Sequence, residues 1–341
     1  MLRFTIVLTL ATSVVCGSLA FAGSPRPKRT AQPRKPAAPA ALPAKTASAK
    51  PVAAQPAAAA TPADDAPQAG TKSYKLRYKF RPGETMRWEV EHRAKVRTTV
   101  QGSTQTAETF SSSIKVWKIE SVDDEANAKL IYSVERVDMR QKYDGRQETH
   151  YNSDTDEAPP PGYDGVAGAV GKPLAELTLN PLGAVVKREE RYVQAAPLQE
   201  NVTLPLPENA VAVGEEWTMP ADITVTLPSK STRKIKARQL YRLDAVDDGM
   251  ATIHLETQVL TPLNDPAIES QLVQSKANGT VKFDIAVGRI LSQQSDVDEH
   301  VYGFQGPASN LHYVMRFSEK LLPDMSRAAV YPPALKQRTT K

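Results

Sequence analysis

Near the end of the chain, Asp296-Val297-Asp298-Glu299-His300 gathers three carboxylates and an imidazole within five residues. On a β-strand, where alternate side chains share a face, Asp296, Asp298 and His300 would stand together. Two carboxylates and an imidazole can hold a divalent metal or divide acid and base roles in a hydrolase. The plainer reading is a solvated strand end, because polar residues at alternate positions are what an exposed sheet face carries. A second oxygen-rich run, Asn152, Asp154 and Asp156, resembles the opening of a calcium loop, which takes hard oxygen ligands from alternate positions. Pro159, Pro160 and Pro161 fill the stretch where such a loop needs its glycine and closing glutamate, and an acidic surface loop accounts for the same residues. Asp154, Asp156, Asp296, Asp298 and His300 are therefore the candidate metal positions, with no catalytic or cofactor-binding residue assigned and no cofactor expected.

The other histidines, His92, His150, His254 and His312, fall into no metal spacing. The sequence contains no Gly-x-Ser-x-Gly elbow, phosphate loop or dinucleotide fingerprint; Gly162 to Gly171 is glycine-rich but opens no strand-to-helix unit.

The elements that would position these residues are strands. Tyr74, Leu76, Tyr78 and Phe80 alternate with Lys75, Arg77, Lys79 and Arg81, the pattern of a half-buried strand. After the turn at Pro82-Gly83 the rule continues through Trp88, Val90, His92, Ala94 and Val96, then over 114–122 and 130–139. It returns over 223–227, 235–243, 251–259, 280–285, 289–295 and 311–317. Short alternating segments joined by Gly, Asn and Asp turns, with no long amphipathic helix, predict a mainly β protein of antiparallel, curved sheets or an incomplete barrel.

The strands recur in two related halves. Gly83-Glu84 followed by Trp88 returns as Gly214-Glu215-Glu216-Trp217, and Ile119-Glu120-Ser121-Val122-Asp123-Asp124 returns as Leu243-Asp244-Ala245-Val246-Asp247-Asp248. The strand, Gly turn and return strand of 177–185 parallel those of 281–290. The offset between matched points drifts from 131 to 124 to 105 residues, so this is a duplicated unit with variable loops and not a solenoid. Both Asp-Asp pairs read as turn residues, since Asp bonds its own backbone and tolerates turn geometry.

Ahead of the strands, Arg3, the apolar run Phe4 to Val15, and Ala20-Phe21-Ala22 have the order of a secretory signal cleaved before Gly23. Cys16, the one cysteine, follows Val14 and Val15 instead of the small residue that precedes a lipidation cysteine, and cleavage after Ala22 would discard it. Disulfide and thiolate chemistry would go with it. Residues 23–73 hold 17 Ala and 10 Pro and almost no large apolar side chain, a composition that cannot offset its ordering entropy and reads as an extended, disordered tether.

Charge divides along the same line. Nine of the 43 Lys and Arg precede Tyr74, with two of the 38 acids, so the remainder carries 34 basic against 36 acidic residues. Arg26, Lys28, Arg29, Arg34 and Lys35 suit contact with anionic lipid or wall polymer outside the cytoplasmic membrane, or a spacer kept extended by its charge. The near-neutral strand region and the export signal exclude a nucleic-acid role. The expected organisation is a signal peptide over 1–22, a tether over 23–73, a duplicated β-rich domain over 74–325 with halves of about 74–192 and 193–325, and a tail over 326–341.

The paired Gly-Glu…Trp and Val-Asp-Asp elements, with Phe283-Asp284-Ile285-Ala286-Val287-Gly288-Arg289-Ile290 behind the second, resemble a family of uncharacterised exported bacterial β-rich proteins. The resemblance spans about 74–322 and implies export and a duplicated β architecture, with no activity to carry over. A looser, fold-level analogy is to periplasmic carriers of lipid or lipoproteins. Together these readings lead to an exported, non-catalytic, periplasmic or extracellular binding module for an apolar ligand such as lipid, or for an envelope protein partner. The alternatives are a structural cell-envelope protein and a hydrolase using Asp296, Asp298 and His300.

Overall fold

The computed structural model describes residues 72–192, 202–227 and 229–323. The expected signal sequence over 1–22, nearly all of the expected tether over 23–73 and the expected tail over 326–341 lie outside the described residues.

One antiparallel sheet organises these residues. The first meander runs through β2 (Thr85–Val100), β3 (Ser103–Val122), β4 (Ala128–Tyr143), β6 (Pro173–Leu179) and β7 (Val185–Glu190). The second runs through β9 (Glu216–Pro220), β12 (Ala237–Asp247), β13 (Met250–Val259), β14 (Asn278–Asp284), β15 (Arg289–Tyr302) and β16 (Asn310–Leu321). The last strand joins the first long one: β16 lies along β2 from Asn310 opposite Thr99 to Leu321 opposite Trp88. β7 and β9 remain as the two edges, so the sheet does not close into a barrel. Short pieces complete the set: β5 (Thr149–Asn152) beside β4, β1 (Ser73–Tyr74) paired with β8 (Val211–Ala212), and the hairpin of β10 (Ile223–Thr226) and β11 (Thr232–Ile235). Among the described residues the α-helices are α1 (Asp164–Ala169) and α2 (Pro266–Leu272), the latter capped by the Asp265 carboxylate on the Ala267 N–H with Pro266 at its first turn.

Alternation decides which face is buried. On β2, Met86, Trp88, Val90 and Val96 are buried, whereas Arg87, Arg93, Lys95 and Arg97 are exposed. Two large apolar clusters share the inner face. One gathers Trp88, Trp117, Leu130, Tyr132 and Leu177 under α1. The other gathers Tyr241, Leu243, Ile253, Val281 and Phe283 under the segments that carry Leu76, Tyr78, Leu204 and Leu206. A smaller cluster around Val297, Leu311 and Tyr313 is covered by Val273, just beyond α2.

The segment expected as a strand over Tyr74 to Phe80 keeps its alternating burial but is laddered only at Ser73–Tyr74. It runs between the turns of the two meanders, its Tyr78 N–H bonded to Pro181 O at 2.8 Å and its Lys79 N–H to Gly288 O at 3.0 Å. A full strand would need a neighbour along its whole length; here the inner face of the sheet takes its apolar side chains instead.

The recurrence seen in the sequence has a counterpart in the ladder. Gly83 N–H donates to Ile119 O and Ile119 N–H to Glu84 O; Gly214 N–H donates to Leu243 O and Leu243 N–H to Glu215 O. Gly83 and Gly214 hold φ of 78° and 92°, a left-handed geometry that glycine adopts without the Cβ penalty. A register shift follows at the same place in each unit, between Ile119 and Ser121 and between Leu243 and Ala245. Another falls between Thr178 and Leu179 and again between Lys282 and Phe283. The tryptophans do not match: Trp217 faces Tyr241 as Met86 faces Trp117, so Trp88 lies two residues further along its strand. Both Asp turns are seen, Asp123 accepting the N–H groups of Glu125 and Asn127 and Asp248 turning at φ 48°.

Candidate functional site

The outward face of the central strands is a lattice of charge. Register brings Arg316, Arg93, Phe110 and Arg140 into one row across β16, β2, β3 and β4, with Val314, Lys95, Glu108 and Lys142 in the next. These rows line an open groove of about 850 Å³. The guanidinium groups of Arg93 and Arg140 lie 5.0 and 5.6 Å from the Phe110 ring, so the aromatic is flanked by two cations. Neighbouring acids balance them: Arg93 meets Glu91 at 3.1 Å, Lys95 meets Glu108 at 2.8 Å, and Asp138 meets both Arg140 and His150. Exposed pairs of this kind exchange readily for an incoming charged group, since each is worth only about 0–1 kcal/mol. Arg guanidinium planes held against a ring present their donors in a fixed direction, which suits carboxylates.

At the far side of β16 the same face carries the sequence-derived candidates. Asp296, Asp298 and His300 do stand on one face of β15, but they divide between two partners. Asp296 accepts from Arg316 at 2.6 Å and from Gln294, and the guanidinium holds its carboxyl below the usual range. Asp298 turns instead to His312 on β16, with Oδ1 2.8 Å from Nε2. His300 is directly opposite His312, their rings stacked 3.8 Å apart with 12° between planes, and Tyr302 stacks beyond His300. The donor atoms of Asp298, His300 and His312 lie within 4.8 Å of one another.

His312 was legible in the sequence only through a hairpin centred on Gly306, which pairs residues equally distant on either side. The intervening turn of glycines and Ser309, closed by the Gly303 N–H on Ser309 O, makes that centre visible once the register is known.

Asp154 and Asp156 lie beyond β5 in a tight loop. The Asp156 carboxylate accepts the Asn152 N–H at 2.7 Å, the Asn152 side chain accepts the Asp154 N–H, and Asp154 approaches Arg136 at 3.7 Å. Two of the three oxygen-bearing side chains are thus spent on the loop's own backbone.

The inner face has one charged seam that sequence reading missed. Lys115 and Glu319, both buried, form an ion pair diagonally across β2, and Gln293 also donates to Glu319. The ammonium lies 4.7 and 5.1 Å from the Trp88 and Trp117 rings. Close by, Arg289 meets Glu84 at 2.7 Å. Lys115 continues the inward alternation of β3, which is the signal that marks a lysine pointing into the core. The cavity beside the pair measures about 20 Å³, too small for an organic ligand.

No family model and no curated protein matches the chain. Among solved structures, the chain is similar to lipovitellin, in a structure concerned with that protein's lipid–protein interactions, at 13% identity and a TM-score of 0.43. The likeness covers 72% of this chain and 26% of lipovitellin, so the chain spans about a quarter of that protein's length. It is also similar to DynF from the dynemicin biosynthesis pathway of Micromonospora chersina, at 8% identity and a TM-score of 0.20 over 76% of this chain and 89% of that one. At these scores and identities neither likeness bears on function.

Proposed function

We propose that the protein is an exported, non-catalytic binding module whose outward sheet face receives an extended, carboxylate-bearing segment of an envelope protein. The observation that carries this reading is the groove of about 850 Å³ with the Arg93–Phe110–Arg140 stack at its floor. Export is supported by Arg3, the apolar run to Val15 and the Ala20-Phe21-Ala22 site. Of the two ligands considered from the sequence, a protein segment suits this lining better than an apolar molecule. The groove is walled by Arg, Lys, Glu and Asp, and the cavity beside Lys115 and Glu319 on the inner face has no room for an acyl chain. Binding by strand addition is discouraged by the edges: β7 presents Lys187, Arg188, Glu189 and Glu190, and β9 ends in Pro220. A hydrolytic role is poorly served by Asp298 and His312, because the Asp298 side chain is 71% exposed and therefore open to water.

The test is a photoreactive amino acid placed at Val314, which lines the groove, in the full chain expressed in its native envelope, with Val287 outside the groove as control. The expected result is a protein adduct at Val314 only, reduced at least about tenfold by Arg93→Glu with Arg140→Glu and weakened by added salt. Equal adducts at both positions, or an adduct indifferent to the charge reversals, would overturn the reading. Native mass spectrometry of the same purified chain adds a second arm: a lipid retained at fixed stoichiometry would replace the protein segment with an apolar ligand.

A further inference from the structure

We propose that Asp298, His300 and His312 form a binding site for a borderline divalent transition ion of the zinc class, clipping β15 to β16. The site is separate from the groove, since none of the three residues lines it.

The strand register supplies the geometry. His300 and His312 are cross-strand partners, so their imidazoles leave the sheet side by side, stacked at 3.8 Å. Asp298 precedes His300 by two residues and therefore shares its face, and its Oδ1 already lies 2.8 Å from His312 Nε2. Zinc takes nitrogen and carboxylate oxygen at about 2.0–2.2 Å, so two donors on one ion sit up to roughly 4 Å apart. With all donor atoms within 4.8 Å, small side-chain rotations bring the three onto one ion while the backbone stays in register.

Donor chemistry selects the ion. Two imidazoles and one carboxylate suit Zn²⁺, Cu²⁺ or Ni²⁺, whereas Ca²⁺ and Mg²⁺ require all-oxygen shells with more ligands. Asp296 is held by Arg316 and contributes no donor. Exposure of Asp298 and His300 leaves the remaining positions to water, making an open site on the surface. The register places Arg97 of β2, of the same charge sign as the ion, across from His312.

Zinc titration of the full, untagged chain by calorimetry should show one site whose dissociation constant rises at least about tenfold in His300→Gln with His312→Gln. Zinc should raise the thermal midpoint of the unaltered chain and leave that of the double variant unmoved, because an ion that binds only the folded state stabilises it by mass action. His150→Gln, at a histidine paired with Asp138 and outside the three proposed ligands, should bind as the parent does. The unaltered chain provides a readout free of any folding defect in the variants: its Cu²⁺ electron paramagnetic resonance spectrum should carry nitrogen couplings from two imidazoles. A spectrum lacking them, undiminished zinc affinity in the double variant, or calcium binding as tightly as zinc would overturn the site.

Discussion

Lys115 and Glu319 sit where a sheet protein normally places only apolar side chains, and their environment explains both their cost and their use. Each has left water, and the attraction between them must offset two desolvation penalties. The pair is helped by Gln293, which donates to Glu319, and by the faces of Trp88 and Trp117 against the ammonium. Glu319→Gln would strand a buried cation, and the expected loss is about 3–5 kcal/mol, read as a lower denaturant midpoint. Lys115→Met combined with Glu319→Leu should recover most of it, since an apolar pair of similar volume carries no desolvation penalty. A single substitution costing under about 1 kcal/mol would mean the charges are solvated and not buried.

Among the elements, the edge strands show how the sheet stays unpaired on its flanks. β7 is short and charged, with Arg188 on Glu190 at 2.6 Å and Arg191 on Glu189 at 3.1 Å, while β9 stops at a proline that lacks the N–H a ladder needs. Lys187→Val with Glu189→Val should convert β7 into an adhesive edge beside the already exposed Val186. Light scattering coupled to size-exclusion chromatography is expected to show a larger, concentration-dependent species than the parent at equal concentration. An unchanged elution would place the protection elsewhere than in these charges.

At the scale of the whole molecule, the pairing of β2 with β16 makes two meanders into one sheet. Those strands lie at opposite ends of the described chain, so the sheet is complete only when long-range contacts form, a topology that folds slowly and cooperatively. Trp88 and Trp117 report on the first meander and Trp217 on the second. In a Trp217→Phe chain and in a Trp88→Phe, Trp117→Phe chain, fluorescence and far-UV circular dichroism should follow one denaturation transition in each case. Separate midpoints for the two signals would show that the meanders unfold independently despite their shared pair of strands.

What the sequence by itself determined was local and periodic: the strands of the two meanders, the Gly-Glu and Asp-Asp turns, and the one-face grouping of Asp296, Asp298 and His300. These depend on side-chain alternation and on backbone preferences spanning a few residues. Register decided the rest. It moved Trp217 into the place of Met86, set the Tyr74 to Phe80 segment across the inner face without a ladder along it, and gave Asp296 to Arg316. It also brought His312 to His300, lined Phe110 with arginines from two other strands, and joined Lys115 to Glu319 across β2. Such contacts link residues up to some 200 positions apart. A period of two tells which face each residue takes; which neighbour it meets there follows only from how the strands slide against one another.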